Sequence, residues 1–455
     1  MPFSNPQFDC YRLVLLSTSP RRVLLENNRI DARLPQLSIP RWTRAAKEIT
    51  DLILDKWGLR SIVLDFLGER PGAGNIVLVE MVDNEESRLE SQGYFWGSLD
   101  EISHPALTDQ EQYIVQMLVS NGETGRGAFS RLGWIDEALD WVSLMIGVDR
   151  ARVSLCEQLN GSATSTLIRL RGGGHNYWLK ATGSRQAHEG RITDTLASLF
   201  PQYLPEAVAF HKEWNAWLMR DAGTPLSEGG AFGDRNICAV VRRLAELQRA
   251  STRHIPELLD SGCHDHRMAT LRSELPELTP YLEEAMSTQD AQIGTRIPAS
   301  RIRRVARLIE EASFRLEDTG IPDALVHCDV NLQNVLVGSR GCVFTDWAEA
   351  SIGNPLITFE QIRIQVGQID EAATRTAHFR TAYQHVWEDI VPTGEFLYAS
   401  TLIPLIGLAS TLCCRREWLT ADSLHRPQSQ SYARILARQM DRAAQVIEQS
   451  AGACA

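Results

Sequence analysis

The most specific pattern in this chain is Ala324-Leu-Val-His-Cys-Asp-Val-Asn-Leu-Gln-Asn-Val-Leu-Val337, followed after a short gap by Val343-Phe-Thr-Asp-Trp347. Short runs of Val, Leu and Phe alternate in it with polar residues, which is typical of brief buried strands that end in tight loops. The intervening Gly338-Ser-Arg-Gly341 has the composition of a turn. The sequence therefore predicts three short strands with His, Asp and Asn side chains at their ends.

The polar residues of this pattern have the types and spacing of a phosphoryl-transfer centre. Such a reaction needs little covalent help, but it requires an acceptor oxygen, a γ-phosphate and metal ions to be held in place. Asp329 is the candidate catalytic base, and Asn334, five positions later, offers a hard carbonyl oxygen to a metal. Asp346 supplies a second, charged ligand, and we expect His327 to brace the loop. The alternative is a solvated loop that holds these residue types by chance.

A nucleotide-binding lobe should precede this centre. Residues 153–170 read as two strands around a turn of small residues, Asn160-Gly-Ser-Ala-Thr164, through which backbone N–H groups can approach phosphates closely. Ser162 lies in the middle of that turn and is a candidate nucleotide contact. An ordinary hairpin turn is the alternative interpretation. After Gly172-Gly-Gly174, a third strand contains Lys180, whose side chain points away from those of its apolar neighbours, as strand alternation requires.

The helix predicted to begin near His188 provides a partner for this lysine. Glu189, close to the start of the helix, can pair with Lys180 and hold it against nucleotide phosphates. Residues 207–210 and 217–219 then read as strands, and Arg220-Asp-Ala-Gly223 interrupts the pattern as a hinge would. We assign the backbone near Asp221 and Ala222 to the edge of the adenine.

Together these motifs resemble one family, the aminoglycoside phosphotransferase and choline kinase-like small-molecule kinases. The resemblance spans residues 150–420 and rests on the order of the motifs His327-x-Asp329-x-x-x-x-Asn334, Phe344-Thr-Asp346-Trp347, Trp178-Leu-Lys180-Ala181, His188-Glu189 and Trp217-Leu-Met-Arg-Asp221. It implies a bilobal protein-kinase-like fold, with a small antiparallel-sheet N-lobe and a helical C-lobe. It also implies ATP as co-substrate, Mg²⁺ as cofactor, Asp329 as base, Asn334 and Asp346 as magnesium ligands, and Lys180 with Glu189 on the nucleotide phosphates.

The chain departs from the family pattern at three places. Cys328 stands where the family often has Gly, and Asn331-Leu-Gln333 replaces the usual His-Pro-Gly. The turn at residues 160–164 is also poorer in Gly than its counterpart in the family. The candidate metal ligands are intact, so these changes concern the shape of the loops.

The 455 residues exceed the length of one such kinase module, and the surplus lies at the front. Residues 8–120 contain predicted strands at 11–16, 22–25, 62–66 and 76–80, with a helix near 43–57. This order resembles an α/β Nudix hydrolase domain. A working Nudix helix needs clustered carboxylates for magnesium, whereas Lys47-Glu-Ile-Thr-Asp-Leu-Ile-Leu-Asp55 spreads few of them among apolar residues. We therefore expect a degenerate, non-catalytic domain; a working hydrolase of nucleoside diphosphate derivatives is the alternative.

The predicted organisation is α+β, with four parts. Residues 1–125 form the Nudix-like domain, 126–150 a bridging helix, 151–222 the kinase-like N-lobe and 223–455 the helical C-lobe that carries the catalytic loop. The bridging helix contains Trp134, Leu139, Trp141, Val142 and Met145, which we interpret as core residues. The polar, Gly-rich segment 120–127 marks the expected boundary in front of it.

The net charge of −11 argues against nucleic acid or an anionic membrane as the main partner. The apolar segment Phe396–Cys414 is interrupted by Pro404 and hydroxyl residues, so we predict a buried helix and no membrane span. Residues 263–266, Cys-His-Asp-His, lack a second ligand pair for zinc and are expected to be a polar loop. The first residues lack the pattern of an export signal, and nine irregularly spaced Cys fit a reducing, cytoplasmic location.

The sequence therefore predicts an ATP-dependent phosphotransferase that acts on a hydroxyl group of a small molecule. A catalytically inactive, nucleotide-binding regulatory module coupled to the N-terminal domain is the alternative. The identity of the acceptor, the choice between ATP and GTP, and the oligomeric state are left open by the sequence.

Overall fold

The structure, a computed structural model, describes residues 8–18, 21–26, 33–67, 75–82, 89, 93–98, 127–183, 186–228, 234–289, 296–339, 341–369, 373–415 and 427–453. The chain divides into two compact units. The first comprises Met1–Gly190 with Glu206–Asp221, and the second comprises Arg191–Pro205 with Ala222–Ala455.

The first unit contains two sheets, the helices α1 and α2, and the start of α3. Its elements are β1 (Phe8–Thr18), β2 (Arg21–Glu26), β3 (Gln36–Pro40), α1 (Ala45–Trp57), β4 (Ser61–Phe66), β5 (Asn75–Met81), β6 (Tyr94–Ser98), α2 (Trp134–Ile146), β7 (Val153–Gly161), β8 (Thr166–Gly172), β9 (His175–Ala181), β10 (Ala207–His211) and β11 (Ala216–Arg220), with the start of α3 (His188–Leu199). Gly58 ends α1 and Gly147 ends α2, both in the left-handed conformation that glycine adopts without strain.

The N-terminal sheet has the strand order β4-β5-β1-β2-β6, and β3 pairs with β1. The β1–β5 pair is parallel and the other pairs are antiparallel. Both faces are buried, because successive residues of β1 enter different cores. Leu13 and Leu15 pack with Ile49 and Ile53 of α1. Val14 and Leu16 face the opposite side, so the sheet is covered on both faces.

The opposite face shares a core with the second sheet of this unit, whose order is β10-β11-β9-β8-β7 and which is antiparallel throughout. One apolar cluster joins Val14 of the first sheet, Trp134 and Val142 of α2, and Ile168 and Leu179 of the second sheet. Residues on either side of positions 126 and 150 therefore contribute to one core. The domain boundaries predicted from sequence remain predictions.

A buried carboxylate links the first sheet to α2. Glu80 on β5 is 2% exposed and accepts the Gly133 N–H at 2.9 and 3.1 Å, directly before the helix begins. Burial raises the pKa of Glu80 to about 7, the nearby Asp136 adds to this rise, and the bond from Gly133 and the charge of Arg131 oppose it. The folded protein therefore retains a proton that the unfolded chain releases at lower pH.

This proton gives a prediction about stability. Between the ordinary pKa of 4.5 and about 7, the folded state binds more protons than the unfolded state, so the free energy of unfolding falls as pH rises through this window. The total loss is on the order of 3 kcal/mol. Glu80→Gln keeps an acceptor for Gly133 but does not titrate. Chemical denaturation at pH 5 and pH 8 should show a smaller pH dependence in this variant; equal dependence in both proteins would contradict the assignment.

The second unit is mainly helical. Its elements are the remainder of α3, β12 (Thr224–Pro225), α4 (Asp234–Ser251), α5 (Ile255–Ser261), β13 (His264–Asp265), α6 (Met268–Ser287), α7 (Ala299–Asp318), β14 (Ala324–Val326), β15 (Val335–Gly338), β16 (Gly341–Phe344), β17 (Ser351–Gly353), α8 (Leu356–Ile369), α9 (Ala373–Gln384), α10 (Thr393–Arg415) and α11 (Pro427–Ala453). Two three-stranded sheets, β12-β15-β16 and β13-β17-β14, lie among these helices. One large apolar cluster is built from residues of helices α3 to α11 and of strands β14 to β17.

Helix α10 was predicted as a buried helix, and it contributes Phe396, Leu402, Ile406 and Cys413 to this cluster. Within the described residues, Thr393–Cys413 is one helix with the length and hydropathy of a membrane span, and 61% of that segment is buried inside the protein. Most apolar side chains of this helix therefore pack against neighbouring helices.

The structure also corrects details of the sequence interpretation. Strands β3 and β6 of the first sheet were not predicted, and Met145 of α2 is exposed, not part of the core. Residues 264–265, predicted as a polar loop, form the short strand β13 against β17. Residues 120–126 of the expected boundary segment lie outside the described residues.

Candidate functional site

The β15–β16 hairpin positions two of the predicted site residues. Val335 pairs with Phe344, and the ladder continues one residue further because the Thr345 N–H and hydroxyl donate to the Asn334 carbonyl at 2.9 and 3.2 Å. Asn334 therefore precedes one strand and Asp346 follows the other at the same end of the hairpin. Strand pairing therefore brings Asn334 and Asp346 close together, although they are separated in the sequence.

His327 joins the loop after β14 to this hairpin. Its Nε2 lies 2.8 Å from the Thr345 carbonyl, which can only accept, so Nε2 carries the proton of this bond. The ring is 1% exposed and lies 4.4 Å from the Trp347 ring. These contacts tie the loop to the hairpin and place the imidazole away from solvent, and the bracing role of His327 stays a prediction.

Two residues of the site adopt a left-handed backbone conformation that side chains usually avoid. Cys328 has φ +59° and Asp346 has φ +68°, a conformation that costs about 1–2 kcal/mol for a residue other than glycine. The Cys328 thiol is buried 3.0 Å from the Ser351 hydroxyl, so its side chain has a partner that offsets part of this cost. The conformation explains why Gly suits position 328 in the resembling family.

Asn331 gives the catalytic loop its turn. Its side-chain oxygen accepts the N–H groups of Gln333 and Asn334 at 2.9 and 3.1 Å, an arrangement known as an Asx-turn. Asn334 in turn donates its side-chain amide to the Asp329 carbonyl at 3.1 Å. In this chain the Asx-turn of Asn331 closes the loop from Asp329 to Asn334, at the position where the resembling family usually has His-Pro-Gly.

Helix α8 holds the same loop from one side through residues that the sequence analysis did not identify. The Thr358 hydroxyl accepts the His327 N–H at 3.0 Å, and Gln361 donates to the Cys328 carbonyl at 2.8 Å. Gln365 accepts the Leu332 N–H at 3.1 Å and donates to the Val330 carbonyl at 2.7 Å. The spacing 358, 361, 365 puts the three side chains on one helix face. This spacing was visible in the sequence, but polar residues on one face of a helix usually indicate that the face is exposed to solvent.

The donor set at the end of the hairpin fits a hard cation. The Asn334 amide nitrogen is used in the bond to Asp329, so its side-chain oxygen remains for a ligand, and Asp346 offers a half-buried carboxylate. Within the described residues, no group of three or more His, Cys, Asp or Glu side chains could hold a metal ion. Mg²⁺ bound with substrate phosphates requires only one or two protein carboxylates or carbonyls, so this arrangement suits a metal that arrives with a nucleotide.

The first unit contains the pair predicted for the nucleotide phosphates. Lys180 Nζ lies 2.6 Å from Glu189 Oε1, so the predicted pairing is present. The Glu189 side chain is 1% exposed and that of Lys180 is 16% exposed. Because a buried carboxylate needs a charged partner, Glu189 fixes the position of the ammonium group. Lys180 Nζ also lies 5.5 Å from the centroid of the Trp217 ring, a distance at which a cation and an aromatic ring attract each other.

The predicted small-residue turn lies beside the end of the Lys180 strand. Leu167 pairs with Lys180 across β8 and β9, and a Cβ on Gly183 would come within 2.6 Å of the Thr164 hydroxyl. The Ser162 hydroxyl is used inside the turn, where it accepts the Ser165 N–H at 3.0 Å. Ser162 therefore shapes the turn, and its direct contact with a nucleotide remains a prediction.

The predicted hinge contains a close approach of two backbone segments. The Asp221 N–H donates to the Asn176 carbonyl at 3.0 Å and extends the pairing of β11 with β9. Gly223 has φ +126°, and a Cβ there would lie 2.2 Å from the Val337 carbonyl oxygen, so only glycine fits. Adenine contacts by the backbone of Asp221 and Ala222 remain a prediction.

Comparison with known protein families gives a match over part of the chain. Residues 181–359 match the model of the phosphotransferase enzyme family, APH. No curated protein sequence matches the chain. Gln361 and Gln365 lie beyond the matched segment, whereas Glu189, Asp329, Asn334 and Asp346 lie within it.

Several solved structures are similar at low sequence identity. A macrolide 2'-phosphotransferase from Brachybacterium faecium has 15% identity, covers 66% of this chain and 97% of its own, and has a TM-score of 0.43. An ethanolamine kinase from Plasmodium vivax has 14% identity, coverage of 73% and 94%, and a TM-score of 0.47. A choline kinase from Streptococcus pneumoniae has 12% identity, coverage of 68% and 98%, and a TM-score of 0.43.

The predicted fold class, α+β with a protein-kinase-like fold, is confirmed, whereas the Nudix-like character of the N-terminal region is not and stays a prediction. The enzyme class predicted from the ordered motifs, a small-molecule kinase, is also confirmed. Residues 181–359 of this chain are similar to the phosphotransferase enzyme family APH, in agreement with the resemblance to aminoglycoside phosphotransferase and choline kinase-like small-molecule kinases that the ordered motifs predicted.

Proposed function

We propose that this protein transfers the γ-phosphate of ATP to a hydroxyl group of a small molecule, with Mg²⁺ as cofactor. The observation that carries the proposal is the geometry of the catalytic loop: hydrogen bonds hold the loop from Asp329 to Asn334, and the β15–β16 pairing brings Asp346 to the same end of the hairpin as Asn334. A family member that had lost catalysis would have no need to keep both candidate metal ligands and the bonds that place them.

In this proposal each group has one task. Asp329 accepts the proton of the acceptor hydroxyl as that oxygen attacks the γ-phosphorus, while the bond from this phosphorus to the bridging oxygen breaks and ADP leaves. Asn334 and Asp346 would hold Mg²⁺, which would neutralise charge on the phosphate oxygens. Lys180, held by Glu189, binds the nucleotide phosphates, and the turn around Ser162 covers them. Backbone groups of Asp221 and Ala222 would contact the adenine.

The acceptor is a small molecule with a free hydroxyl, and its chemical class is left to experiment. The net charge of −11 would favour the approach of a cationic acceptor over an anionic one. Use of cellular ATP fits a cytoplasmic location. We propose no nucleic acid or membrane partner.

The test is nucleotide binding by the full chain, measured by thermal denaturation with Mg-ATP, with Mg-GTP and with ATP in excess EDTA. A ligand that binds only the folded state at 100 times its dissociation constant stabilises it by about 2.7 kcal/mol. We expect a rise in melting temperature with at least one nucleotide, and loss of the rise in EDTA. Acceptor screening with radiolabelled ATP then follows.

The regulatory alternative makes a different prediction in the same experiment. A pseudokinase that senses nucleotide would show the rise in melting temperature but no phosphate transfer to any acceptor and no slow ATP hydrolysis. Absence of any rise with either nucleotide would contradict both the kinase proposal and this alternative.

A further inference from the structure

Besides the shared apolar core, the N-terminal sheet makes polar contacts with the second sheet of the first unit at the end of the β7–β8 hairpin. Strand β4 is the terminal strand of the N-terminal sheet within the described residues, so one of its edges is not paired by another strand. Gln158 of β7 occupies that edge with its side chain. Its Nε2 donates to the Val63 carbonyl at 3.0 Å, and its Oε1 accepts the Val63 N–H at 2.7 Å.

This contact imitates a strand partner. Both backbone groups of one residue are satisfied by one amide side chain, as they would be by a neighbouring strand. Gln158 is 1% exposed, so its polar atoms would be costly to bury without these bonds. The pairing therefore fixes the distance between β4 and β7.

Asp65, two residues further along β4, reaches the turn itself. Its Oδ1 accepts the Ala163 N–H at 3.2 Å and the Phe66 N–H at 2.9 Å. Ala163 lies in the small-residue turn that we assign to the nucleotide phosphates. Its carbonyl accepts the Phe129 N–H at 3.0 Å, so both backbone groups of Ala163 are held from outside the hairpin.

The local backbone is adapted to this contact on both sides. The pairing of β4 with β5 shifts register between Val63 and Asp65, and that of β7 with β8 shifts between Gln158 and Asn160. Such bulges redirect side chains and are typical of sites where one strand must meet another element. Gly161 completes the fit, since a Cβ there would lie 2.9 Å from the Val63 carbonyl oxygen.

From these contacts we infer that the N-terminal sheet positions the phosphate-covering turn, through Asp65 and Gln158, and so sets the affinity of the kinase for its nucleotide. The inference rests on the proposed function. A turn that must close over phosphates loses conformational entropy on binding, and external bonds that order it in advance reduce that cost. Asp65 and Gln158 are positioning residues, because they act through Ala163 and the strand that leads to it.

The test uses the full chain, because the two sheets share one apolar core. Asp65→Ala removes the acceptor for Ala163, whereas Asp65→Asn keeps an oxygen at the same place. Val79→Ala, in the separate core between the N-terminal sheet and α1, controls for loss of stability alone. The affinity for Mg-ATP is measured by titration calorimetry, and hydrogen exchange reports the protection of residues 162–165.

We expect Asp65→Ala to weaken Mg-ATP binding about tenfold, while Asp65→Asn and Val79→Ala stay within about twofold of the wild type. Hydrogen exchange in residues 162–165 should rise in Asp65→Ala and not in Val79→Ala. Unchanged Mg-ATP affinity in Asp65→Ala, or an equal loss in Val79→Ala, would overturn the inference. If the wild type itself binds no Mg-ATP, the proposed function fails first and this inference fails with it.

Discussion

Asp329→Asn should lower the rate of phosphate transfer to the acceptor by about a thousandfold, because general-base assistance contributes roughly 10²–10⁴ in rate. The amide keeps the size of the carboxylate but cannot take up the acceptor proton. The substitution leaves two backbone bonds of the loop in place: the Asp329 N–H donates to the His327 carbonyl, and the Asp329 carbonyl accepts from Asn334. The measurement is phosphate transfer from labelled ATP to an acceptor identified by screening.

Two controls make the result specific to the reaction. Mg-ATP should raise the melting temperature of Asp329→Asn as much as it raises that of the wild type, because Asp329 acts on the acceptor and not on the nucleotide. Asp318→Asn removes an exposed carboxylate at the end of α7 and should transfer phosphate at the wild-type rate. Transfer by Asp329→Asn within about threefold of the wild type would exclude Asp329 as the base.

The local pattern of the sequence predicted most strands and helices near the site. In residues 324–347, apolar strand residues and polar loop residues are separated clearly, and the observed strands β14, β15 and β16 follow that pattern. The Lys180–Glu189 contact was predictable too, because it depends on a strand, a helix start and two charges of opposite sign. Local periodicity and charge carry this information without knowledge of the tertiary fold.

What the sequence did not indicate depends on distant residues. Gln361 and Gln365 satisfy the backbone of the catalytic loop only because α8 packs beside it, and nothing in their spacing distinguishes them from solvent-exposed residues. Gln158 and Asp65 likewise gain their roles through bulges and an edge strand contact. Strands β3 and β6 were missed because Gln36–Pro40 and Tyr94–Ser98 contain no run of aliphatic residues, and their pairing with β1 and β2 is non-local.

Removing the carboxylate of Asp346 should abolish Mg-dependent nucleotide binding and lower phosphate transfer by at least about a thousandfold, equivalent to roughly 4 kcal/mol of transition-state stabilisation. The choice of variant matters, because Asp346 has φ +68° and alanine would add backbone strain to the loss of the ligand. Asn tolerates this conformation and keeps one neutral oxygen, whereas Gly fits it without strain and removes the side chain. We expect both Asp346→Asn and Asp346→Gly to lose the melting-temperature rise with Mg-ATP.

Measurements on these two variants without nucleotide distinguish a loss of metal binding from a loss of stability. Without nucleotide, both should melt near the wild-type temperature, because the hairpin bonds of Asn334 and Thr345 use groups that neither variant changes. Asp389→Asn, which breaks an exposed ion pair with Arg249, is the matched control and should keep the full Mg-ATP response. A melting-temperature rise with Mg-ATP that survives in Asp346→Gly would place the metal elsewhere. Asn334 alone offers no charge, so a hard cation would then need a different carboxylate as ligand. In that case the pairing of β15 with β16 would not serve to bring two metal ligands together.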